Sequence, residues 1–386
     1  MQPHSEYRRA LLNPAYDAGS KLLEERRTAL YFAKPYGKRI SEYEQVLLYA
    51  QPNPDWIAGG LGQGFWGTAF PGGRGAWENY FTEAKTSDWY AFRDPEGRWQ
   101  RPYVAEKADG WREFQRLVGA EPSLVQKADF DARWGELVAQ HLGALGLHDY
   151  GAFMALALPI RDALSDTLRA ALVTSALDYL DNAQMIQAEK IYLAQILDGL
   201  TADVAPSQAT WAAPHTWAGA RRFIEELWGK TYDHIEIVFA LHAIHEPLFG
   251  ALVRSEFFTQ HAPHHGDTFT LRVLWGSARA AQAAGTWSRE LFARTLLGDP
   301  EFGDYNRKLL RYWAEKWLPL ELRALHDARG LWEVEQDIDP CRELGPSYDV
   351  ALQRVLERWL DSTGRLFWPE LDVKALIQSI DTSKRT

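Results

Sequence analysis

His242 and His245, followed at once by Glu246, come nearest of any residues in this chain to a metal-binding spacing. Imidazoles at i and i+3 lie on one helix face and could share an ion. His261, His264 and His265 follow nearby. Against a metal role, Pro247 comes immediately after the pair, no second ligand cluster is evident, and the later histidines fall in an expected loop. The group reads as interface or capping histidines, with any zinc or nickel found there adventitious. Gly59-Gly60-Leu61-Gly62-Gln63-Gly64 looks like a phosphate loop but has neither the lysine nor the preceding strand that such a loop needs. Asp178 with Asn182 and Glu189, and Glu315-Lys316, read as surface or buried polar contacts of helices rather than acid/base machinery.

Paired Glu-x-x-His motifs on long helices would indicate a carboxylate-bridged di-iron site. The chain has 11 histidines, and three residues before them stand Met1, Val138, Leu145, Ala212, Thr231, Phe239, His242, Phe258, His261, Ala262 and Arg323. None is acidic. The sequence therefore offers no catalytic, cofactor-binding or metal-ligating residue of its own.

The elements that carry these residues are helical. Arg133 to Leu147, Ala163 to Leu197, Thr216 to His261, Thr268 to Leu297 and Tyr305 to Asp327 lack strand-like alternation. Ser165-Asp166 and Asp304 are candidate helix starts, and Gly266-Asp267 marks a sharp break. Gly330 and Asp339-Pro340 belong to the connection to a weaker C-terminal pair, Tyr348 to Leu360 and Leu371 to Ile380. Within Ala163 to Leu197, Val173, Leu177, Leu180 and Ile191 form one stripe while Tyr179, Ile186 and Leu193 point elsewhere. Apolar residues on more than one face predict a helix wrapped by neighbours, with Gln184 and Gln187 in need of hydrogen-bond partners.

Before residue 112 the pattern is different. Trp56, Trp66, Trp77, Trp89, Trp99 and Trp111 sit among Gly and Pro without sustained periodicity, too aromatic for disorder. Such an arm buries its rings against a partner, against this chain's own helices, or both.

Composition bounds the rest. At 386 residues the chain exceeds the roughly 250–300 at which one core stops growing, so a core with an accessory region is expected. A net charge of −10 disfavours nucleic acid and anionic membrane surfaces as partners. The single cysteine, Cys341, suits a reducing compartment, and the N-terminus lacks the apolar core of a signal peptide. A cytoplasmic protein is the expectation.

The block Ser41 to Leu61, SEYEQVLLYAQPNPDWIAGGL, resembles the matching segment of the beta subunits of soluble methane and butane monooxygenase hydroxylases. So do Ser87-Asp88-Trp89-Tyr90, Arg93-Asp94-Pro95, Arg101-Pro102-Tyr103-Val104, Asp181 to Gln187, Ser255 to Phe258 and Asp299 to Phe302, in order over roughly residues 28 to 328. Gly62-Gln63-Gly64-Phe65-Trp66 departs from the family pattern. Toluene and phenol hydroxylase beta chains are less similar in the proline-rich arm.

The resemblance implies an all-α, ferritin-like bundle, with an N-terminal arm over residues 1–110, a core over 111–330 and a helical extension over 331–386. It also implies a non-catalytic partner in an alpha2-beta2-gamma2 hydroxylase that oxidises methane or short alkanes to alcohols with O2. The alpha chain carries the non-haem di-iron centre, a reductase with FAD and [2Fe–2S] supplies electrons from NADH, and a small regulatory protein docks. By analogy with the catalytic chains, Asn182 and Met185 occupy former ligand positions. The interface residues expected in the arm are Tyr49, Pro52, Asp55 and Trp56. Open alternatives are the beta subunit of a toluene/phenol-type or other monooxygenase, and a self-sufficient helical metalloprotein.

Overall fold

The structure, a computed structural model, describes residues 36–37, 39–49, 82–119, 130–157, 160, 163, 165–338 and 345–382. Among them there is no β-strand. Ten principal helices are α1 Gln100–Val118, α2 Gly143–Ala157, α3 Asp166–Ile196, α4 Ala205–Ala212, α5 Ala218–Lys230, α6 His234–His265, α7 Thr268–Glu290, α8 Gly303–Gln336, α9 Tyr348–Trp359 and α10 Val373–Thr382. α6 is the central member and packs against α7, α8 and α9. α2 and α3 lie side by side, with α5 between α2 and α8, and α7 closing the space between α3 and α6. α6 is long and apolar enough to cross a membrane, but it lies buried inside the bundle, as an all-round apolar core helix should.

Local signals account for several boundaries. The Ser165 hydroxyl accepts from the backbone N–H of Leu168 and caps α3. Gly266, at φ 74°, makes the left-handed turn that ends α6, and the Asp267 carboxylate then caps α7. Thr216 to His261 is two helices rather than one, because Asp233 caps a new start at His234. α1 begins at Gln100, ahead of Trp111. Pro102 is tolerated there because the first helical turn needs no N–H donors.

α8 runs through both Pro319 and Gly330 to Gln336, well past the expected end at Asp327. Gly330 is kept for packing: a Cβ there would meet the Thr216 side chain at 2.3 Å. In α6 the backbone widens into π-type turns over Phe239–Gly250, which accommodates Pro247 in the helix interior.

The described part of the arm is a strap laid over this chain's own bundle. Backbone N–H groups of Glu83, Lys85 and Ser87 donate to Asp233, Asn306 and Asp299. The Arg98 guanidinium makes two bonds, 2.9 and 3.1 Å, to the buried Asp178 carboxylate. Trp89 and Phe92 are buried, Phe92 edge-on to Trp287 of α7. Trp56, Trp66 and Trp77 lie outside the described residues.

Candidate functional site

The polar centre of the bundle is built by four helices. α2 contributes His148 and Asp149, α3 Tyr179, α6 His245, Glu246 and Arg254, and α8 Glu321. The two imidazoles meet through their Nε2 atoms at 2.8 Å. His148 Nδ1 lies 2.9 Å from Asp149, and His245 Nδ1 lies 2.6 Å from Glu321. The second Glu321 oxygen accepts from the backbone N–H of Phe249 at 2.9 Å. The ring of Phe223 stacks on His245 at 4.1 Å and fixes its plane.

Arg254 closes the other half of this network. Its guanidinium donates to Asp149 and, at 2.8 Å, to Glu246, whose second oxygen accepts from the Tyr179 hydroxyl at 3.1 Å. Burial pushes the Asp149 carboxyl up to about 6 even beside Arg254, and burial likewise raises Glu321. Burial, with the His245 ring and the Arg254 charge nearby, holds His148 well below the ordinary imidazole range. A neutral His148 donates from Nδ1 to Asp149 and accepts at Nε2 from His245.

The histidine pair singled out in the sequence does not act together. His245 turns to His148 and Glu321, whereas His242 sits edge-on to Trp287 and alongside Tyr179. His242 has no hydrogen-bond partner at either ring nitrogen, and burial pushes it down to about 3. It lines a groove of about 150 Å³ between α6 and α7. His261 and His265 are buried rather than at an exposed interface, and both bond one oxygen of Glu335, at 3.1 Å each. Burial opposes ionisation of Glu335, but these two imidazoles outweigh it and hold the carboxyl at about 2. His261 also reaches the Pro346 carbonyl at 3.3 Å, so this cluster joins the ends of α6 and α8 to the start of α9.

Of the expected arm interface, Tyr49 ends the turn Gln45–Tyr49, and Pro52, Asp55 and Trp56 lie outside the described residues, as does the Gly59 to Gly64 run. Asn182 faces α7, lining a small cavity with Tyr179, Glu246 and Ser277. Met185 lies with Asn182 along a groove of about 220 Å³ between α1, α3 and α7. Among the described residues no group of three or more His, Cys, Asp and Glu side chains is arranged to hold a metal.

A family model described as methane/phenol/alkene hydroxylase matches residues 66–299. Over 332 residues the chain is 38% identical to the methane monooxygenase component A beta chain of Methylococcus capsulatus, covering 86% of this chain and 85% of that one. This chain belongs to the methane/phenol/alkene hydroxylase family. Within it the likeness is to beta chains, including 41% identity to that of Methylosinus trichosporium over 80% of this chain and 79% of the relative. It is a beta-type hydroxylase subunit, and the oxidoreductase to which it belongs is a multi-subunit assembly. The small subunit of the propane 2-monooxygenase hydroxylase component of Mycolicibacterium goodii is 29% identical, covering 83% of this chain and 86% of the relative.

Among solved structures, toluene 4-monooxygenase superposes with a TM-score of 0.63 at 18% identity, covering 76% of this chain and 94% of that one. Phenol hydroxylase from Pseudomonas sp. OX1 gives 0.66 at 17%, covering 86% and 92%. These establish the hydroxylase helical-bundle fold.

The beta-type interior does not suit the iron of a di-iron hydroxylase. Opposite the amide of Asn182, α7 offers Ser277, Ala280 and Ala281. A neutral amide, a hydroxyl and methyl groups are poor ligands for a hard iron centre. Asp149 and Glu246 are both paired with the guanidinium of Arg254. His148 and His245 are fully buried and line none of the cavities described above. The network ties α2, α3, α6 and α8 together.

Proposed function

We propose that this chain is the non-catalytic, structural beta subunit of an alpha2-beta2-gamma2 hydroxylase that oxidises methane or other short alkanes to alcohols. The alpha chain carries the non-haem di-iron centre. A reductase with FAD and [2Fe–2S] delivers electrons from NADH, and a small regulatory protein docks on the assembly, all in the cytoplasm. The observation that carries this reading is the 38 and 41% identity to two methane monooxygenase beta chains over most of their length. The pairing of both Asp149 and Glu246 with Arg254 supports a structural role, since neither carboxylate stands free of a cation.

A short-alkane substrate is favoured over an aromatic one, because the relatives matched over most of their length are named for methane and propane. The arm, residues 1–110, serves subunit packing, with Tyr49, Pro52, Asp55 and Trp56 against alpha. Residues 111–330 form the ligand-free core and 331–386 the helical extension. Native mass spectrometry of the complex recovered through a tag on this chain tests the assignment. Two copies each of this chain, a larger iron-bearing chain and a small third chain are expected. A monomer or homodimer with one tightly held metal per chain would overturn it in favour of the self-sufficient metalloprotein.

A further inference from the structure

The groove between α1, α3 and α7 is space that the described side chains leave unfilled. Its volume, about 220 Å³, exceeds the roughly 150 Å³ that holds one benzene ring in a protein interior. Gly110 of α1 and Gly276 of α7 stand on its walls, and a Cβ added to either would meet no other atom within 4 Å. Phe114, Ile186, Val273 and Leu274 make those walls apolar, and the Phe114 ring is fixed edge-on by Trp111 and Phe269. The Met185 thioether and the Trp275 indole complete the lining, the indole residue 76% exposed. Aromatic rings and thioethers both favour contact with another aromatic ring.

The buried polar part of the lining carries no charge. Asn182 and Ser277 line both this groove and the small cavity beside Tyr179, and both are buried. Neither side chain has a hydrogen-bond partner among the described residues. A buried amide left unpaired is costly, and it can both donate to and accept from a hydroxyl group. The charged side chains around the groove are already committed: Lys107 to Asp178 and Asp181, Arg279 to Glu96, Glu113 to Arg116, and Glu106 to Arg98. Arg272 has no ion pair among the described residues, but it is exposed and keeps its hydration. An ionised ligand would lose its own hydration on entering, with no buried opposite charge free to receive it. We propose that the groove between α1, α3 and α7 binds a neutral, single-ring aromatic molecule carrying one hydroxyl group, with its ring beside Phe114 and Trp275 and its hydroxyl on the Asn182 amide. The inference concerns this chain's own residues and stands apart from the subunit reading.

The test soaks 4-bromobenzyl alcohol, without reductant, into crystals of the full chain in whatever assembly it is recovered, and titrates the same material by equilibrium dialysis. Anomalous bromine density should appear in the groove of every copy of this chain. Gly110→Leu puts a side chain into the groove without a clash and with a better helix former, so it should fold normally and weaken binding at this site more than about tenfold. Sites are counted as the difference between native and Gly110→Leu material, which removes any binding elsewhere in the assembly. 4-Bromotoluene, which lacks the hydroxyl, should bind about fivefold more weakly than the alcohol. Asn182→Leu should close that gap to within about twofold, with helical circular dichroism unchanged. Bromine density absent from the groove, or undiminished binding by Gly110→Leu, would overturn the site. Tighter binding of 4-bromobenzoate than of the alcohol would overturn the neutral class, and equal binding of alcohol and toluene by the native chain would overturn the role of Asn182.

Discussion

The two sides of the α2–α3 pair invert the usual arrangement of a soluble helix. Their inner side holds His148, Asp149, Asp178, Glu189 and Lys190, all buried, while their outer side shows Leu147, Tyr150 and Leu177. α1 follows the ordinary rule, with exposed charges such as Arg112 paired to Asp109 and Arg116 to Glu113. Surface pairs of that kind add little to stability. The contrast teaches that charge in this molecule has two separate uses. Inside, it fixes the relative placement of α2, α3, α6 and α8 through bonds that exist in one geometry only. Outside the α2–α3 pair it is nearly absent.

Inner and outer substitutions should therefore fail in different assays. The largest loss is expected from Arg254→Met, which strands Asp149 and Glu246 in the interior. The cost should be on the order of 3–5 kcal/mol in denaturant unfolding of the free chain. Adding Asp149→Asn and Glu246→Gln should recover part of it, and no recovery would show that Arg254 acts mainly through packing.

Next in size is Glu321→Leu, which removes the hydrogen-bond partner of His245 and the acceptor of the Phe249 amide and should cost about 2–3 kcal/mol by the same measurement. A smaller effect, visible only against pH, is expected at Glu335. Its folded carboxyl is held at about 2, below the ordinary 4.5. The stability it adds is present above pH 4.5 and is lost as pH falls toward 2. Glu335→Gln should remove on the order of 2 kcal/mol at neutral pH and flatten the decline between pH 4.5 and 2. An unchanged decline would assign acid sensitivity to other carboxylates. Smallest of all, Ile191→Lys on the outer face should change free-chain stability by less than about 0.5 kcal/mol. A large loss there would mean that the face is part of this chain's own core.

Much of this architecture was legible in the sequence, and the gaps have physical causes. The α3 start at Ser165 and the Gly266-Asp267 break are local signals, and the structure follows them. The length of α8 was hidden because Gly330 looks like a terminator, when its lack of a side chain serves the contact with Thr216. The new start at Asp233 was missed although Gly229 stands four residues ahead of it, at the end of α5, and the Asp233 side chain is itself the cap signal.

The stripe of Val173, Leu177, Leu180 and Ile191 was visible, but an apolar stripe that faces outward and one that faces a core have the same period. The residues that fill this chain's own interior are instead Tyr179, Ile186 and Leu193. Gln184 is exposed and Gln187 donates to the Ala202 carbonyl, so only the second needed an internal partner. The central network could not be read from spacing, because its members come from four helices far apart in the chain. One hint was available: His148-Asp149 is the only ionisable pair in a helix that is otherwise Gly, Ala, Leu, Tyr, Phe and Met.

The most direct test is a cryo-electron microscopy map of the hydroxylase recovered through this chain. The account predicts the Arg254 guanidinium between Asp149 and Glu246, this chain packed on a larger one, and metal density in that larger chain alone. Metal density within this chain's bundle, beside His242 or between Asp149 and Glu246, would contradict it.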